Sequence, residues 1–369
     1  MVDITPELVL KSCSELVGRH TKRVAIDSGA IDKFLSDIDL ERFKKLSQGW
    51  ISVPLRFDTP EDEVSFVATL DLLNFGSGYR TELHAACNRG AAETILYGCM
   101  SMHISQVALT ASSLKQLTVG DVATYFGIPL LGDDVPHPTL PAVTISQPSP
   151  LRPLAQAITS TLVETGNVLE QQGYRSLGHF ILDSTKRPID ASPDWQPSAV
   201  DLVQRLVKAF PAFQDYGQYE NTTVYLIKKA QLLAADLNDR FKNTSSPVYD
   251  HFNFFDLETL TVFSDNVLPA VLKYYGIIKV HDSALLTSIK QLQPLSDADM
   301  WLLRAAAVAA CDQIVSRCRD QADNQGSAEQ VALAQVMTSV GLDHYLWHIG
   351  KDPEIRKQPR LVYKSTVYF

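Results

Sequence analysis

Residues 254–268 read FFDLETLTVFSDNVL and are followed by Pro269. Apolar residues recur here at steps of three and four, which predicts a helix whose buried stripe consists of Leu257, Leu260, Phe263 and Val267. Asp265 lies beside that stripe, and Pro269 lacks the N–H that would bond to the Asp265 carbonyl. We therefore expect the helix to break here and to direct the Asp265 carboxylate into the space that the break opens.

The same residues also allow a purely structural interpretation. Ser264 or Asp265 would then cap a new helix that starts at Val267, because an oxygen-bearing side chain before an apolar run commonly accepts the first backbone N–H groups of a helix. The functional interpretation depends on other polar residues that the sequence places in apolar surroundings.

Composition and charge restrict the classes of protein to which this chain can belong. Its 369 residues, of which 45% are hydrophobic and 20% charged, suit one large folded domain or two of ordinary size. The net charge of −9 argues against a duplex nucleic acid partner, which requires a cationic surface. No apolar run reaches the roughly 18 residues of a membrane span.

Cysteine usage favours a cytoplasmic location. The five cysteines form no CxxC pair, which indicates reduced thiols rather than disulfides or a zinc site, and the N-terminus lacks a signal-peptide pattern. Nucleophile-elbow, zincin and dinucleotide-binding motifs are absent, and the nine histidines do not pair at ligand spacing. We therefore expect no metal and no cofactor, and the sequence indicates no oligomeric state.

Periodicity and capping signals predict a mainly α fold. The expected helices cover residues 5–16, 31–46, 58–73, 91–104, 118–126, 154–172, 198–210, 222–241, 299–317 and 330–350. The proline-rich residues 131–153 are expected to be an ordered loop or connector, and only the tail from residue 360 to 369 is expected to be a strand. The chain is predicted to be a single helical domain over residues 1–369, with two lobes joined near 131–153 as the alternative.

Several polar residues lie within or beside these apolar stripes. Lys228 falls at the stripe margin of the helix expected over residues 222–241, where a solvated lysine would be the ordinary case, and Lys229 is expected at the surface. Arg304 lies inside an apolar helix and needs a partner carboxylate. The residues expected to be buried and to converge on one pocket are Asp71, Lys228, Asp256, Asp265, Arg304 and Asp343.

Such a pocket would suit the cleavage of a glycosidic bond to a nitrogen base. A carboxylate between apolar walls, kept ionised by a nearby cation, can stabilise a developing positive charge. Glycosidic cleavage passes through a transition state that resembles a sugar cation, and the carboxylate can stabilise it or activate water.

Four segments of the chain resemble the queuosine salvage family: LNFGSGYR from Leu73, LIKKAQLLAADL from Leu226, FDLETLTVFSDNVLP from Phe255 and LDHYLW from Leu342. The resemblance runs from about Phe66 to the C-terminus. It implies an all-α fold similar to helix-hairpin-helix DNA glycosylases. It also implies hydrolysis of the N-glycosidic bond of queuosine 5'-monophosphate, which frees queuine for salvage into tRNA modification.

The resemblance implies roles for individual residues. The lysine of the family's YKRAQ motif falls on Lys228, and the aspartate of its FADxxxP motif falls on Asp265. Asp265 is therefore the expected catalytic carboxylate, and Lys228 is the partner that fixes the substrate or the carboxylate. Asp343 matches the aspartate of the LDYYLW motif and is expected to bind the base or its amine-bearing arm.

The expected substrate-binding set also includes residues from other segments. Asp71, Asn74 and Phe75 match the family's DTLNF stretch, which is expected to face the ligand. The set is completed by Phe254, Asp256, Arg304 and Lys364.

The chain departs from the family pattern at two places. Leu302 replaces the glutamate of a Glu-Ile-Arg motif, and residues 362–365 (VYKS) replace a basic His-Arg-Thr-Arg ending, so that Lys364 is its only remnant. These departures support the alternative of a non-catalytic helical ligand-binding protein. A base-excision DNA glycosylase is disfavoured by the negative net charge.

Overall fold

A computed structural model describes residues 3–49, 53–140, 142–242, 248–324 and 326–369. The described residues form nineteen α-helices, which confirms the mainly helical class. The helices are α1 Pro6–Arg19, α2 Ser28–Asp37, α3 Leu40–Leu46, α4 Pro60–Leu72, α5 Arg80–Cys87, α6 Ala91–Ile104, α7 Ala111–Gln116, α8 Val119–Phe126, α9 Arg152–Gln171, α10 Leu177–Ser184, α11 Ala199–Ala209, α12 Lys228–Phe241, α13 Tyr249–Phe252, α14 Leu268–Tyr274, α15 Ser283–Lys290, α16 Asp297–Asp323, α17 Ala328–Val336, α18 Ser339–Ile349 and α19 Pro353–Arg356.

Short strands form antiparallel pairs at positions that the sequence analysis did not expect. They are β1 Val24–Ile26, β2 Leu131–Pro136, β3 Thr144–Pro148, β4 Tyr216–Tyr219, β5 Thr222–Tyr225 and β6 Ile278–Val280. β1 pairs with β6, β2 with β3, and β4 with β5. Strands of this length are too short for an alternating pattern to stand out. The expected C-terminal strand is reduced to one bridge between Val362 and Pro294.

Contacts between Cα atoms divide the chain into two compact units. The first unit comprises Met1–Val53 and Ser184–Tyr363, and the second comprises Pro54–Asp183 and Lys364–Phe369. Residues 131–153 lie within the second unit. How the chain divides into domains that fold independently stays a prediction.

The first unit is built around α16. This helix has 27 residues and is about 40 Å long at 1.5 Å per residue. Residues 300–311 are buried throughout, and the alanines among them let α1, α2, α14 and α18 pack closely against it. The apolar run that predicted this helix is therefore a central core helix, longer at both ends than expected.

Helix boundaries follow the predicted capping signals. Thr5, Thr59 and Ser198 each accept a backbone hydrogen bond at the N-terminus of α1, α4 and α11. Gly127 and Gly173 follow the ends of α8 and α9 with φ values of 58° and 79°, the left-handed conformation that glycine adopts readily.

The helix predicted over residues 222–241 begins six residues later. Residues 222–225 instead form β5, which pairs with β4 from Tyr216 opposite Tyr225 to Tyr219 opposite Thr222. The β-branched Thr222, Thr223 and Val224 favour a strand, and pairing with β4 satisfies the backbone groups that a helix would have used.

The helix predicted over residues 254–268 is wrong. Only Leu257–Thr259 forms a 3-10 turn, and the chain from Leu260 to Val267 is not helical. The residues predicted as a helical stripe are nevertheless largely buried, with Leu260 and Phe263 exposed by 1% and 2%. Side chains from distant helices bind this backbone, as described below, and such tertiary hydrogen bonds override a helical pattern.

In the second unit, Leu131–Pro136 and Thr144–Pro148 form an antiparallel pair where a loop was expected. Leu131 pairs opposite Pro148 and Pro136 opposite Thr144, and both strands are exposed along their length. Pro141 lies outside the described residues. Among the helices of the described ranges, none combines the length and apolarity that a bilayer crossing requires.

Candidate active site

Helix α12 begins at Lys228 because the preceding residues fold around Asp215. The Asp215 carbonyl accepts the N–H groups of Leu226 and Ile227 at 2.9 and 3.0 Å, and its Oδ2 accepts the Lys228 N–H at 3.2 Å. Ile227 has a φ of 43°, a left-handed conformation that turns the chain from β5 into α12. Lys228 is thus the first residue of α12 and is only 4% exposed.

Asp215 is also the carboxylate that Arg304 requires. The guanidinium Nη1 and Nη2 atoms donate to Oδ1 and Oδ2 at 2.9 and 2.7 Å, and both side chains are completely buried. Two parallel bonds of this kind fix the relative orientation of the two groups. The expectation that Arg304 has a partner carboxylate is confirmed.

The Arg304 residue also binds the backbone beside Asp265. Its Nε donates to the Ser264 carbonyl at 2.9 Å, and the Ser264 hydroxyl donates to the Arg304 carbonyl at 3.0 Å. These reciprocal bonds join the middle of α16 to the residue immediately before Asp265.

Gln231, one turn along α12 from Lys228, binds the same segment further upstream. The Thr261 N–H donates to Gln231 Oε1 at 2.8 Å, and Gln231 Nε2 donates to Thr261 Oγ1 at 2.9 Å and to the Leu226 carbonyl at 3.1 Å. Because Gln231 is fully buried, these bonds replace those that the backbone would otherwise make with water.

Asp265 binds the backbone N–H groups at the start of α14, much as the structural interpretation expected, although Val267 and not Asp265 occupies the N-cap position. Asp265 Oδ1 accepts the N–H groups of Val267 and Leu268 at 2.6 and 3.2 Å, and the helix begins at Leu268. Oδ2 accepts no hydrogen bond from the part of the chain that the structure describes. The Asp265 side chain is only half-buried. Its carboxylate is held in place through Oδ1, and Oδ2 can therefore bind another partner.

The electrostatics link Lys228, Asp265 and Asp343. Burial lowers the pKa of the Lys228 ammonium, whereas the Asp265 carboxylate raises it. Burial raises the pKa of Asp343 to about 8, and the charge of Asp265 adds to this effect. The Phe263 N–H donates to Asp343 Oδ1 at 2.7 Å and opposes the rise. At neutral pH Asp343 is therefore mostly protonated, and the Lys228 side chain interacts electrostatically with both Asp343 and Asp265.

Three other residues on these segments pack within the first unit. Asp256 accepts hydrogen bonds from the Ser198 hydroxyl at 2.5 Å and the Ala199 N–H at 2.7 Å, which caps α11. The buried Phe254 ring lies 6.2 Å from that of Phe252. The expectation that Lys229 lies at the surface is wrong: it is fully buried, 5.9 Å from the centroid of the Phe213 ring.

The other expected site residues belong to the second unit. Asp71 and Phe75 are buried, and Asn74 is half-buried, where α4 ends. The next residue, Gly76, has a φ of 97° and donates its N–H to the Phe369 carbonyl at 3.1 Å.

Lys364 forms an ion pair with Glu82 in the second unit and lies 5.2 Å from the centroid of the Tyr79 ring. The substrate-binding roles expected for the residues of both units stay predictions.

A family model for the queuosine salvage protein matches residues 134–369, which include every first-unit residue of this site. The chain belongs to this family. Lys228, Asp265 and Asp343 thus lie within the part that matches.

Curated relatives of the queuosine salvage family carry the name queuosine 5'-phosphate N-glycosylase/hydrolase. The chain is 29% identical to the Nematostella vectensis protein over 64% of this chain and 63% of that protein. It is 32% identical to the Sphaerobacter thermophilus protein over 46% of this chain and 41% of that one. It is 22% identical to the Bos taurus protein over 94% of both chains. The first two matches thus span less than two thirds of those relatives.

Sequence reasoning on this family member missed the residues that hold the site together. They are Asp215, Gln231, Thr261 and Ser264. Gln231 lies three residues after Lys228 in an apolar stretch, and a buried side-chain amide in such surroundings nearly always has hydrogen-bond partners. Nothing in the sequence around Asp215 indicates that it pairs with Arg304. Its position depends on the β4–β5 hairpin, which was not predicted.

Proposed function

We propose that this protein is an N-glycosidase that hydrolyses queuosine 5'-monophosphate and releases queuine for salvage into tRNA modification. The observation that carries the proposal is the Asp265 carboxylate. It is held by two backbone amides through Oδ1, and it lies in the field of the buried Lys228. The names that the curated relatives carry support this choice of substrate.

In the proposed reaction, the C1'–N bond breaks and its electron pair leaves with the base. Water adds to C1' and transfers a proton to Asp265, which also stabilises the positive charge that develops on the sugar. That proton then passes to the nitrogen of the departing base, so that the neutral base is released and the Asp265 carboxylate is regenerated. The side chains of Lys228 and Asp265 interact electrostatically, which suits Lys228 to fixing the substrate or the carboxylate in place. Asp343, mostly protonated at neutral pH, can donate a hydrogen bond to a carbonyl of the base.

A non-catalytic ligand-binding protein is the second candidate function. Leu302 stands where the family pattern has a glutamate, and Lys364, the remnant of the basic ending, forms an ion pair with Glu82. Such a protein would bind the nucleotide or base without cleaving it.

The deciding experiment incubates the purified protein with queuosine 5'-monophosphate and, separately, with queuosine, and measures free queuine by mass spectrometry. Release from the monophosphate alone supports the proposed activity and a requirement for the phosphate. The control is Asp265→Asn, which should release none. Binding of the monophosphate without release by the wild-type protein would favour the ligand-binding function.

We also infer that the protein acts in the cytoplasm. All five cysteines are free thiols, and Cys13, Cys99, Cys311 and Cys318 are buried. Free buried thiols suit a reducing compartment. Fractionation of cells that produce the protein would test this location.

A further inference from the structure

One buried ion pair contacts the backbone at both residues on which the proposed reaction depends. On the Asp215 side, Oδ2 accepts the Lys228 N–H at 3.2 Å, and the Asp215 carbonyl accepts the two N–H groups that precede it. The start of α12 is therefore attached directly to the Asp215 residue.

On the Arg304 side, the same pair fixes the chain next to Asp265. Nε donates to the Ser264 carbonyl at 2.9 Å while both Nη atoms bind Asp215. The Arg304 guanidinium is completely buried, and each of the hydrogen bonds given above is made to another group of the protein.

An ion pair in this position needs a reason other than stability. Removing two charges from water is costly, and apolar residues of similar volume often replace a buried pair without loss of stability. A fork of directed bonds, in contrast, sets distances that apolar packing does not specify.

We propose that Asp215 and Arg304 are positioning residues, which set the spacing of Lys228 and Asp265 for glycosidic cleavage. This inference rests on the function proposed above. It assigns to Arg304 a role that is exerted through its neighbours instead of through contact with the substrate.

The test removes the pair without leaving an unpaired buried charge. In Asp215→Asn/Arg304→Met, the Asn oxygen can still accept the Lys228 N–H, and no isolated charge remains. The matched control is Asp32→Asn/Arg317→Met. It removes another two-bond pair, between Arg317 of α16 and Asp32 of α2, with bonds of 2.7 and 3.0 Å, but this pair is exposed.

We expect the Asp215→Asn/Arg304→Met variant to fold and to lose about 100-fold in kcat, with KM changed less than about threefold, because misplacement acts mainly on the chemical step. The control should stay within about twofold of wild-type kcat. A folded variant with near wild-type kcat would overturn the inference, because it would show that the ion pair serves only to stabilise the fold.

A second measurement needs no substrate and separates this inference from the proposed function. The amides of Phe263 and Val267 bind Asp343 and Asp265, so their hydrogen exchange reports the geometry of the segment. We expect exchange at least about tenfold faster in the variant than in the control. Unchanged exchange refutes positioning even in an active enzyme. A wild-type protein that releases no queuine refutes the proposed function whatever the exchange rates.

If the double variant does not fold, Arg304→Lys takes its place in both measurements. Lysine keeps the charge, but it lacks the planar fork that binds Asp215 and the Ser264 carbonyl together. The same loss of kcat and the same faster exchange are expected, and their absence in a folded Arg304→Lys protein overturns the inference.

Discussion

At the scale of single residues, Asp265 combines a structural and a proposed chemical task, and the two can be separated. Asp265→Asn keeps an Oδ1 that can accept the Val267 and Leu268 N–H groups, whereas Asp265→Ala removes the cap. We expect Asn to abolish queuine release with little change in the free energy of unfolding. Ala should in addition lower that free energy by about 1 kcal/mol.

Urea unfolding and queuine release measured on both variants check this prediction. Release by Asp265→Asn at more than about a hundredth of the wild-type rate would remove the Asp265 carboxylate from the reaction. Equal stability of the Asn and Ala variants would instead contradict the capping role.

The protonation of Asp343 predicts how stability depends on pH. The folded protein holds this proton with a pKa of about 8, against 3.8 for an ordinary aspartate. The unfolded chain therefore releases the proton first. The contribution of Asp343 to stability is complete below about pH 4 and is lost as the pH rises through 8, by at most about 1.4 kcal/mol per pH unit.

Urea unfolding of the wild-type protein and Asp343→Asn at pH 5, 6.5 and 8 measures this effect. The stability of the wild-type protein relative to the variant should fall with rising pH, because only the wild-type protein titrates at this position. A constant difference across the three pH values would show that Asp343 is ionised in the folded protein.

At the scale of elements, helix contacts explain why two helical glycines should respond oppositely to the same substitution. A Cβ at Gly178 in α10 would lie 2.4 Å from both the Glu61 carbonyl oxygen and Ser65 Oγ in α4. A Cβ at Gly18 in α1 would meet nothing within 4 Å. We expect Gly178→Ala to cost about 2 kcal/mol of unfolding free energy and Gly18→Ala to add about 0.5 to 1 kcal/mol.

Thermal and urea unfolding of the two alanine variants test this prediction directly. Both substitutions replace a helical glycine by alanine. The gain in helix propensity is therefore about the same in the two variants and cancels when their stabilities are compared. If Gly178→Ala were as stable as Gly18→Ala, α10 and α4 could not be packed as closely as the structure shows.

At the scale of the whole molecule, the net charge of −9 governs which partners the surface can attract. Binding to duplex DNA depends on releasing counterions through a surplus of basic residues. We therefore expect no binding of a labelled 20-base-pair duplex at protein concentrations up to about 100 µM in about 150 mM salt. Fluorescence anisotropy, with a lysine-rich peptide as positive control, measures this, and saturable binding below about 10 µM would reopen the DNA glycosylase interpretation.

The sequence by itself determined the mainly helical class, the bounds of α4, α6, α8, α9 and α11 to within two residues, and the family. These depend on local features: capping residues such as Thr5 and Thr59 act within one turn, and apolar periodicity extends over a single helix. The family motifs likewise place Lys228 and Asp265 by their position in the chain. An arginine in an apolar helix even predicted a carboxylate partner, because an unpaired buried charge is too costly.

Only the tertiary structure decided how that site is held. Residues 254–268 have a helical pattern, yet Gln231 and Asp343 bind their backbone through Thr261 and Phe263, where the chain is not helical. Asp215 meets Arg304 across 89 positions of sequence. Bonds between residues so far apart depend on how the elements pack, and a local pattern carries no information about them.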